Sequence, residues 1–288
     1  MKKILIAYFS QGGTTLSIAE QILKGMEDKQ CLVDLYDMTE GQPPDITDYD
    51  MIGIGSPVYI YRPPFIVTEY IKSLPKLMGL PFFIFLLYGM KPGTTGTQLR
   101  NALCLKGGKL IGYSKFKGAD FFLGYLQRGV LFSSENPNNT EKVTAYEFGQ
   151  EIITRLSENK HLKPEPDSNP GIVYSLENMI TKKYIVNYVY TWFFKVDRGK
   201  CNSCGICIKK CPNKNITLDQ NDIPQWGHNC LFCLYCEMKC PKDAIKSIMD
   251  WPIMAPFMSY NVHEGLKDPS IDQIRVIHNK GKTKRIKK

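Results

Sequence analysis

Eight cysteines toward the C-terminal end form two runs with the same spacing, and they are the residues best suited to metal chemistry. Each run follows the pattern C-x2-C-x2-C-x3-C-P; the runs are Cys201, Cys204, Cys207 and Cys211, then Cys230, Cys233, Cys236 and Cys240. Thiolates at this spacing bind [4Fe-4S] clusters, and the fourth cysteine of each run binds the cluster of the other run. The spacing predicts two clusters with crossed ligands. One set is Cys201, Cys204, Cys207 and Cys240; the other is Cys230, Cys233, Cys236 and Cys211.

Two other uses of these cysteines are less consistent with the pattern. Zinc sites take four ligands in total, so a third cysteine at the same interval and a fourth before proline exceed what zinc needs. Disulfides form in oxidising compartments, whereas Met1-Lys2-Lys3 leads directly into a strand-like run without a signal-peptide pattern. We therefore expect a reducing, cytoplasmic location. Cys31 and Cys104 lie outside both runs and are expected to be small buried apolar residues.

The formal net charge of +9 does not indicate a nucleic-acid partner, because its distribution along the chain is uneven. Residues 251–288 contain 8 Lys and Arg but only 3 Asp and Glu, so much of the excess positive charge lies at this end. The basic run 280–288 predicts a solvated, disordered end, with a docking patch for an acidic partner or a membrane surface as the alternative. The apolar stretch 184–194 is too short to span a bilayer, so no membrane span is expected.

The N-terminal half alternates apolar strand-like runs with segments of helical periodicity. The predicted strands are 4–9, 31–35, 51–54, 81–87 and 109–113, and the predicted helices are 15–26, 65–74, 97–105 and 141–156. Continuous apolar runs are typical of strands buried on both faces of a parallel sheet. The pattern predicts an α/β fold with a doubly wound, five-stranded parallel sheet.

The loop after the first predicted strand has the composition of an anion site. It consists of Ser10, Gln11, Gly12, Gly13, Thr14 and Thr15. Glycines let the backbone approach a phosphate, and the start of the next helix offers unpaired N–H groups and the positive end of its dipole. The loop matches neither the dinucleotide-binding nor the P-loop glycine pattern. Glycines in a tight turn can also be purely steric.

The residues around this loop resemble the flavodoxin signature S-x2-G-x-T-x3-A, carried here by Ser10, Gly13, Thr15 and Ala19. Two later loops resemble those that line the isoalloxazine ring in flavodoxin-like proteins. Their residues are Ser56, Pro57, Val58, Tyr59 and Ile60 after the third strand, and Tyr88 and Gly89 after the fourth. With the cysteine runs, the chain resembles the flavodoxin-ferredoxin fusion family of anaerobes. That resemblance implies FMN at these loops and a small α+β domain of the bacterial 2[4Fe-4S] ferredoxin type.

The expected organisation has four parts. They are a flavodoxin-like domain (1–156), a linker with a docking helix (157–195), a ferredoxin domain (196–250) and an extension with a basic tail (251–288). The helix predicted over 176–192 is apolar on much of its surface and is expected to dock the ferredoxin domain on the flavin domain, or else to bind a membrane surface or partner. Around the clusters, the expected apolar shell is Ile206, Ile208, Ile216, Leu231, Leu234 and Ile245.

One FMN and two clusters in one chain imply a carrier that converts between two-electron and one-electron partners. We expect electron transfer to or from a redox partner protein, with an acidic partner suggested by the basic tail. The alternative is an FMN-dependent reductase that acts directly on a small substrate such as a quinone or nitro compound. Whether two chains form a homodimer is left open by the sequence.

Overall fold

The computed structural model describes residues 1–163, 166–167 and 171–286, in two compact units. The N-terminal unit contains 1–119 and 135–175, and the C-terminal unit contains 120–134 and the chain from Leu176 onward. The strands are β1 (Lys3–Tyr8), β2 (Leu32–Asp37), β3 (Met51–Pro57), β4 (Pro81–Tyr88), β5 (Lys109–Lys117), β6 (Val130–Phe132), β7 (Lys195–Val196), β8 (Ile216–Leu218), β9 (Pro224–Trp226), β10 (Ile245–Lys246), β11 (Gln273–Asn279) and β12 (Lys282–Arg285).

Helices and strands mostly alternate in the N-terminal unit, whereas most helices of the C-terminal unit are short and α10, with 13 residues, is the exception. They are α1 (Thr14–Glu27), α2 (Phe65–Ser73), α3 (Thr95–Leu105), α4 (Leu123–Leu126), α5 (Asn139–Ser157), α6 (Ile172–Ile180), α7 (Lys183–Tyr188), α8 (Ile206–Lys209), α9 (Tyr235–Met238) and α10 (Ala255–Lys267). Single 3-10 turns occur at Ile46–Asp48, Tyr190–Phe193, Ile248–Asp250 and Pro252–Met254.

The N-terminal unit is built on a parallel sheet with the strand order β2-β1-β3-β4-β5. The chain reverses its direction of winding next to β1, so the sheet is doubly wound, as the sequence predicted. Strands β1 and β4 are buried along almost their whole length, because helices flank the sheet. All five predicted strands and four predicted helices of this part are present, with ends displaced by a few residues.

Helices α1 and α5 approach closely on one side of the sheet. A Cβ at Gly25 would lie 2.1 Å from the carbonyl oxygen of Tyr146, and one at Gly149 would lie 2.2 Å from that of Ile22. Only glycine permits this contact. The core around it contains Ile18 and Ile152, both fully buried.

Residues 120–134 leave the N-terminal unit after β5 and return before α5. The two ends of this excursion meet at a backbone hydrogen bond, in which Ala119 N donates to Asn136 O at 2.9 Å. Within the excursion, β6 pairs antiparallel with β11, so these residues group with the C-terminal unit. The predicted limits of the first domain do not account for this pairing, since it joins segments far apart in the chain.

The C-terminal unit combines short helices with three small antiparallel sheets, which is the predicted α+β class. The sheets are β7-β10, β8-β9 and β6-β11-β12. Helices α8 and α9 each carry the third cysteine of one run. The described part of the chain contains no helix that has both the length and the apolar character required to cross a membrane.

The single helix predicted over 176–192 is wrong. The segment forms α6, α7 and a 3-10 turn, because Lys182 is extended (φ −58°, ψ 150°) and interrupts the helical path. Val186 and Tyr190 are buried, whereas Tyr184 and Trp192 are 71% and 80% exposed. The docking of this segment stays a prediction.

The prediction that the basic end is disordered is also wrong for the described residues. Strand β12 pairs with β11 from Lys282 to Arg285, so the basic run continues as a hairpin. The last part of that run, residues 287–288, lies outside the described residues. The basic side chains of Lys282, Lys284 and Arg285 are exposed on this hairpin.

Candidate cofactor sites

The two cysteine runs fold into loops of matching backbone shape. In each loop, the residue before the second cysteine and the residue after it have positive φ: Ser203 (51°) and Gly205 (69°) in the first, Phe232 (57°) and Leu234 (56°) in the second. Left-handed residues on both sides of a cysteine curl the chain around a common centre. The next residues begin α8 and α9, so each run wraps a concave site and then enters a short helix.

The first cysteines of run one share a cavity with the last cysteine of run two. This cavity encloses about 380 Å³ of space, part of it open to solvent, and its wall includes Cys201, Cys204, Cys207 and Cys240. Burial raises the pKa of the Cys207 thiol to about 11, and the nearby Cys204 and Cys240 contribute to the rise. The four thiols are those that the spacing assigned to one cluster.

The second group of cysteines combines the first three cysteines of run two with the last cysteine of run one. Burial raises the pKa of the Cys230 thiol to about 12, and both Cys233 and Cys211 add to this rise through their charge. The pKa of Cys236 is raised well above its usual value by burial, and Cys233 and Cys230 act in the same direction. Cys211, the last residue of run one, is therefore a neighbour of the first cysteine of run two.

Backbone N–H groups donate to three of the sulfur atoms. Asn215 N lies 3.3 Å from Cys211 Sγ, Ala244 N 3.3 Å from Cys240 Sγ, and Phe232 N 3.4 Å from Cys230 Sγ. Such hydrogen bonds stabilise negative charge on sulfur and are one of the factors that set cluster potentials.

A second layer of polar contacts supports the loop that begins run two, and the sequence did not predict it. Asn187 Oδ1 accepts from Cys230 N at 2.7 Å, while Asn187 O lies 3.0 Å from His228 Nδ1. Asn215 Oδ1 accepts from Asn229 N at 2.7 Å. Asn187 is buried within an otherwise apolar segment, which is the one sequence signal that could have drawn attention to it.

The predicted apolar shell lies around the cysteines. Ile216, Leu231, Leu234 and Ile245 are buried, while Ile206 and Ile208 are half-buried. Phe194 and Trp226 add an aromatic pair, with ring centroids 4.6 Å apart and nearly parallel planes, which packs against the same core. Of the two cysteines outside the runs, Cys31 is buried as expected, but Cys104 is exposed on α3, so its expected burial is wrong.

Four thiols at each position form a donor set suited to an iron-sulfur cube, since thiolates are the ligands that such clusters take. Within the described residues, no group of three or more His, Cys, Asp or Glu side chains is arranged to hold a single metal ion. The raised thiol pKa values have a simple cause: a thiolate buried in apolar surroundings lacks a cation to compensate its charge.

The predicted anion loop lies between β1 and α1. Gly13, with φ +87°, is the residue directly before α1. Because glycine has no side chain, it does not cap the first N–H groups of that helix. Leu16 N donates to Ser10 Oγ at 3.2 Å. A Cβ at Gly12 or Gly13 would have no other atom within 4 Å, so both glycines border open space at the start of the helix. Thr15 is buried beneath the loop, and Thr14 begins the helix.

Gln11 connects this loop to the first predicted ring loop. The hydroxyl of Tyr59 donates to Gln11 Oε1. Gln11 Nε2 is buried without a hydrogen-bond partner among the protein atoms, and a buried donor of this kind indicates a missing acceptor. An acceptor-rich ligand such as a phosphate or a flavin carbonyl satisfies that requirement.

The two ring loops follow β3 and β4, which are adjacent in the sheet. Ser56 is buried and its hydroxyl donates to Pro57 O at 2.8 Å, and Val58 N donates to Leu87 O at 2.9 Å. At Tyr88, the side chain of Lys117 lies with Nζ 4.9 Å from the ring centroid. Gly89 follows directly. All three loops are at the carboxyl ends of β1, β3 and β4, where doubly wound sheets bind their ligands.

Two features of the first ring loop were not foreseen. Ile60 and Tyr61 both have positive φ, 49° and 60°. Arg62 is half-buried, and the loss of water around its guanidinium lowers its pKa to about 10. Its guanidinium carbon lies 4.6 Å from the centroid of the Phe65 ring, so an aromatic face partly replaces water around the charge.

Two protein-family models match the chain. The model for the flavodoxin domain matches residues 5–119, and the model for the 4Fe-4S binding domain matches residues 194–217. The second match contains the first cysteine run only. No curated protein matches the sequence.

Solved structures similar to the chain include a flavodoxin from the domain Archaea (16% identity, 54% of this chain, 99% of that chain, TM-score 0.42). Two-electron reduced Megasphaera elsdenii flavodoxin has 19% identity, with 52% of this chain and 98% of that chain covered and a TM-score of 0.42. The oxidised Flavodoxin 1 from Bacillus cereus has 15% identity, covering 53% and 97%, with a TM-score of 0.41. The two matches place a flavodoxin domain before a 4Fe-4S binding domain in one chain, an order that is consistent with a flavodoxin-ferredoxin fusion and supports an electron-transfer flavo-iron-sulfur protein.

Proposed function

We propose that the protein carries one FMN and two [4Fe-4S] clusters and passes low-potential electrons between them and a redox partner protein. The observation that carries this proposal is the cavity shared by Cys201, Cys204, Cys207 and Cys240. A fourth ligand taken from the other run is the arrangement of two-cluster ferredoxins. The proximity of Cys211 to Cys230 supports the reciprocal site.

The residues of the C-terminal unit have three roles in this proposal. The eight cysteines hold the two clusters. Leu231, Leu234 and Ile245 exclude water, which limits the reorganisation that accompanies electron transfer. The N–H groups of Asn215, Ala244 and Phe232 stabilise charge on the sulfur atoms.

The residues of the N-terminal unit bind and orient the flavin. Ser10, Gln11, Gly12, Gly13, Thr14 and Thr15 would hold the phosphate at the start of α1. Ser56, Pro57, Val58, Tyr59, Ile60, Tyr88 and Gly89 would line the ring. When bound, FMN supplies one-electron and two-electron redox chemistry, and each cluster supplies one-electron transfer.

The partner is proposed to be a protein with an acidic docking surface, because Lys282, Lys284 and Arg285 are exposed together on the β11-β12 hairpin. We also propose that the protein works in the reducing cytoplasm. Cys204 is exposed, and a reducing compartment keeps such a thiol from forming a disulfide.

Cofactor analysis and rapid kinetics test the proposal together. Anaerobically purified protein should contain about eight irons, about eight labile sulfides and about one FMN per chain. Stopped-flow reduction, followed separately at flavin and cluster wavelengths, should show that electrons given to one centre reach the other. Zinc without iron would reject the clusters. Rapid turnover of quinones or nitro compounds, with no transfer to any protein acceptor, would favour the direct reductase instead.

A further inference from the structure

The turn in the first ring loop is held in an unusual conformation. Tyr59 N donates to Arg62 O at 2.9 Å and Arg62 N to Tyr59 O at 3.1 Å, so a two-residue turn is closed by reciprocal hydrogen bonds. Its central residues, Ile60 and Tyr61, are both left-handed, with φ of 49° and 60°. Such turns normally take Asn and Gly, and a β-branched residue at positive φ is an outlier. A conformation of this kind persists only where the surrounding structure imposes it.

The side chain of Tyr61 is confined from two sides. On one side is Gly93, in the loop after β4, where a Cβ would lie 2.5 Å from both Tyr61 Cβ and Tyr61 O. On the other side is Tyr174, whose ring centroid lies 4.2 Å from that of Tyr61 at an interplanar angle of 65°. Both tyrosines are buried, with 6% and 3% of their surface exposed.

Tyr174 also lies beside the chain that follows the second ring loop. Lys91, three residues after Tyr88, places its Nζ 5.4 Å from the centroid of the Tyr174 ring. One aromatic side chain therefore packs beside residues that closely follow each of the two loops proposed to line the flavin ring. Tyr174 lies at the start of α6, well beyond residues 5–119 that the flavodoxin model matches.

Within the chain that precedes Tyr174, Asp167 is anchored independently at the same end of the sheet. The carboxylate of Asp167 is 4% exposed and accepts from Thr97 N at 2.8 Å and from the Tyr113 hydroxyl at 2.8 Å. In return, Asp167 N donates to Thr97 Oγ1 at 2.7 Å. Thr97 lies in the first turn of α3, directly after the second ring loop. The approach of this segment to the ring loops thus has its own polar anchor.

We propose that Tyr174 is a positioning residue for the flavin, which holds the Ile60-Tyr61 turn in the conformation that receives the isoalloxazine ring. The inference rests on the proposed binding of FMN at these loops. It assigns a part of the flavin site to the connector that leads toward the cysteine runs, and it predicts that the flavodoxin segment 5–119 lacks a residue needed for full ring binding.

Flavin titration of the full-length protein tests this role. The proteins are wild type, Tyr174→Phe, Tyr174→Leu and Tyr184→Leu, the last an exposed tyrosine of α7 that serves as a matched control. After removal of flavin, Tyr174→Leu should bind FMN and riboflavin about tenfold more weakly, and both by the same factor, since the ring site and not the phosphate site is disturbed. Tyr174→Phe and Tyr184→Leu should bind both flavins like wild type.

A second substitution separates positioning from general destabilisation. Asn adopts the left-handed conformation more readily than Ile, so in an Ile60→Asn background the loss caused by Tyr174→Leu should fall to about twofold. Tyr174→Met, which introduces an unbranched and flexible side chain that fills irregular buried space without an aromatic ring, replaces Tyr174→Leu if the latter does not fold. Cluster absorbance and thermal unfolding monitor folding of every variant.

Four outcomes would contradict the inference or the function on which it rests. Unchanged flavin binding in Tyr174→Leu and Tyr174→Met would overturn the inference, as would an equal loss in the wild-type and Ile60→Asn backgrounds. A wild-type protein that binds no FMN would instead reject the proposed function itself. A loss that is confined to FMN and spares riboflavin would place Tyr174 at the phosphate and reject its role at the ring.

Discussion

Cys240 lies in the wall of the same cavity as Cys207, although these cysteines belong to different runs. This placement of Cys240 fits the proposal that the fourth cysteine of each run binds the cluster of the other run. If the ligands are crossed in this way, substitution of the fourth cysteine of a run should damage the cluster held mainly by the other run.

Substitution of the fourth cysteines tests the crossed ligands. Cys240→Ala should perturb the cluster of Cys201, Cys204 and Cys207, and Cys211→Ala should perturb the other, because each cube then lacks one thiolate. Electron paramagnetic resonance of the reduced proteins should show the loss of a different cluster signal in each variant. Cys104→Ala, an exposed cysteine outside the runs, is the control. Loss of the cluster of the same run in each variant would show that the ligands are not crossed.

The two clusters should have different reduction potentials. Cys204 is exposed at the first site, whereas the second site lies among the buried side chains of Leu231, Phe232 and Leu234. Reduction adds negative charge to an anionic site, which burial disfavours and solvent stabilises. The first cluster should therefore have the higher reduction potential and be reduced first. The difference in potential should be at least about 60 mV, which is a tenfold shift in a one-electron equilibrium.

A redox titration followed by electron paramagnetic resonance measures this separation, and Cys211→Ala and Cys240→Ala assign the signals. Titration of both clusters at one potential would contradict the expected difference. So would a lower potential for the cluster that includes Cys204.

The loop between β1 and α1 should recognise the flavin phosphate. Replacing Ser10 and Thr15 together by alanine should weaken FMN binding about tenfold or more, because the loop loses two hydroxyls and the Leu16 N–H loses its acceptor. Riboflavin, which has no phosphate, should be affected much less. Fluorescence titration of the flavin-free protein gives both constants, with Ser17→Ala in α1 as the control. An equal loss for FMN and riboflavin would place the phosphate elsewhere.

The stability of the C-terminal unit should depend on the protonation of Glu177. Burial raises the pKa of Glu177 to about 7, against a hydrogen bond from Asn261 Nδ2 at 2.9 Å that acts in the opposite direction. Asn261 Oδ1 is buried without a donor, and a protonated Glu177 can donate to it.

Because the pKa of Glu177 is higher in the folded state than in the unfolded state, its contribution is fully present below about pH 4.5 and is lost as the pH rises through about 7. Glu177→Gln keeps the amide partner without a titratable proton. Denaturant unfolding measures the free energy of unfolding at pH 5 and at pH 8. Between these pH values the variant should lose about 2 kcal/mol less of this free energy than the wild type loses. An unchanged pH dependence would show that Glu177 does not titrate in this range.

The basic hairpin should affect transfer to the partner only. Deletion of residues 277–288 would remove β12 and part of β11, so substitution is the better test. Changing Lys282, Lys284 and Arg285 to Gln should leave exchange between flavin and clusters unchanged. Transfer to an acidic partner should become slower and less dependent on salt. Stopped-flow rates at several ionic strengths measure both effects, and a salt-independent partner rate in the wild type would exclude this docking surface.

The sequence by itself determined the parts of this protein in which local spacing dictates geometry. The C-x2-C-x2-C-x3-C-P runs predicted three thiols on one loop and a fourth ligand from the other run, because short intervals leave the chain few ways to surround a common centre. Alternating apolar and helical runs located every strand of the main sheet, since strands such as β1 and β4 are buried on both faces.

Only the tertiary structure decided the features that depend on residues far apart in the chain. The pairing of β6 with β11 assigns 120–134 to the C-terminal unit, and Asn187 stabilises the Cys230 loop from a segment whose periodicity predicted one continuous helix. The strained turn at Ile60 and Tyr61 has no local signature, since both residues disfavour positive φ. Tyr61 packs against Gly93 and Tyr174, and such long-range packing outweighs local preference wherever burial stabilises the chain more than a relaxed turn does.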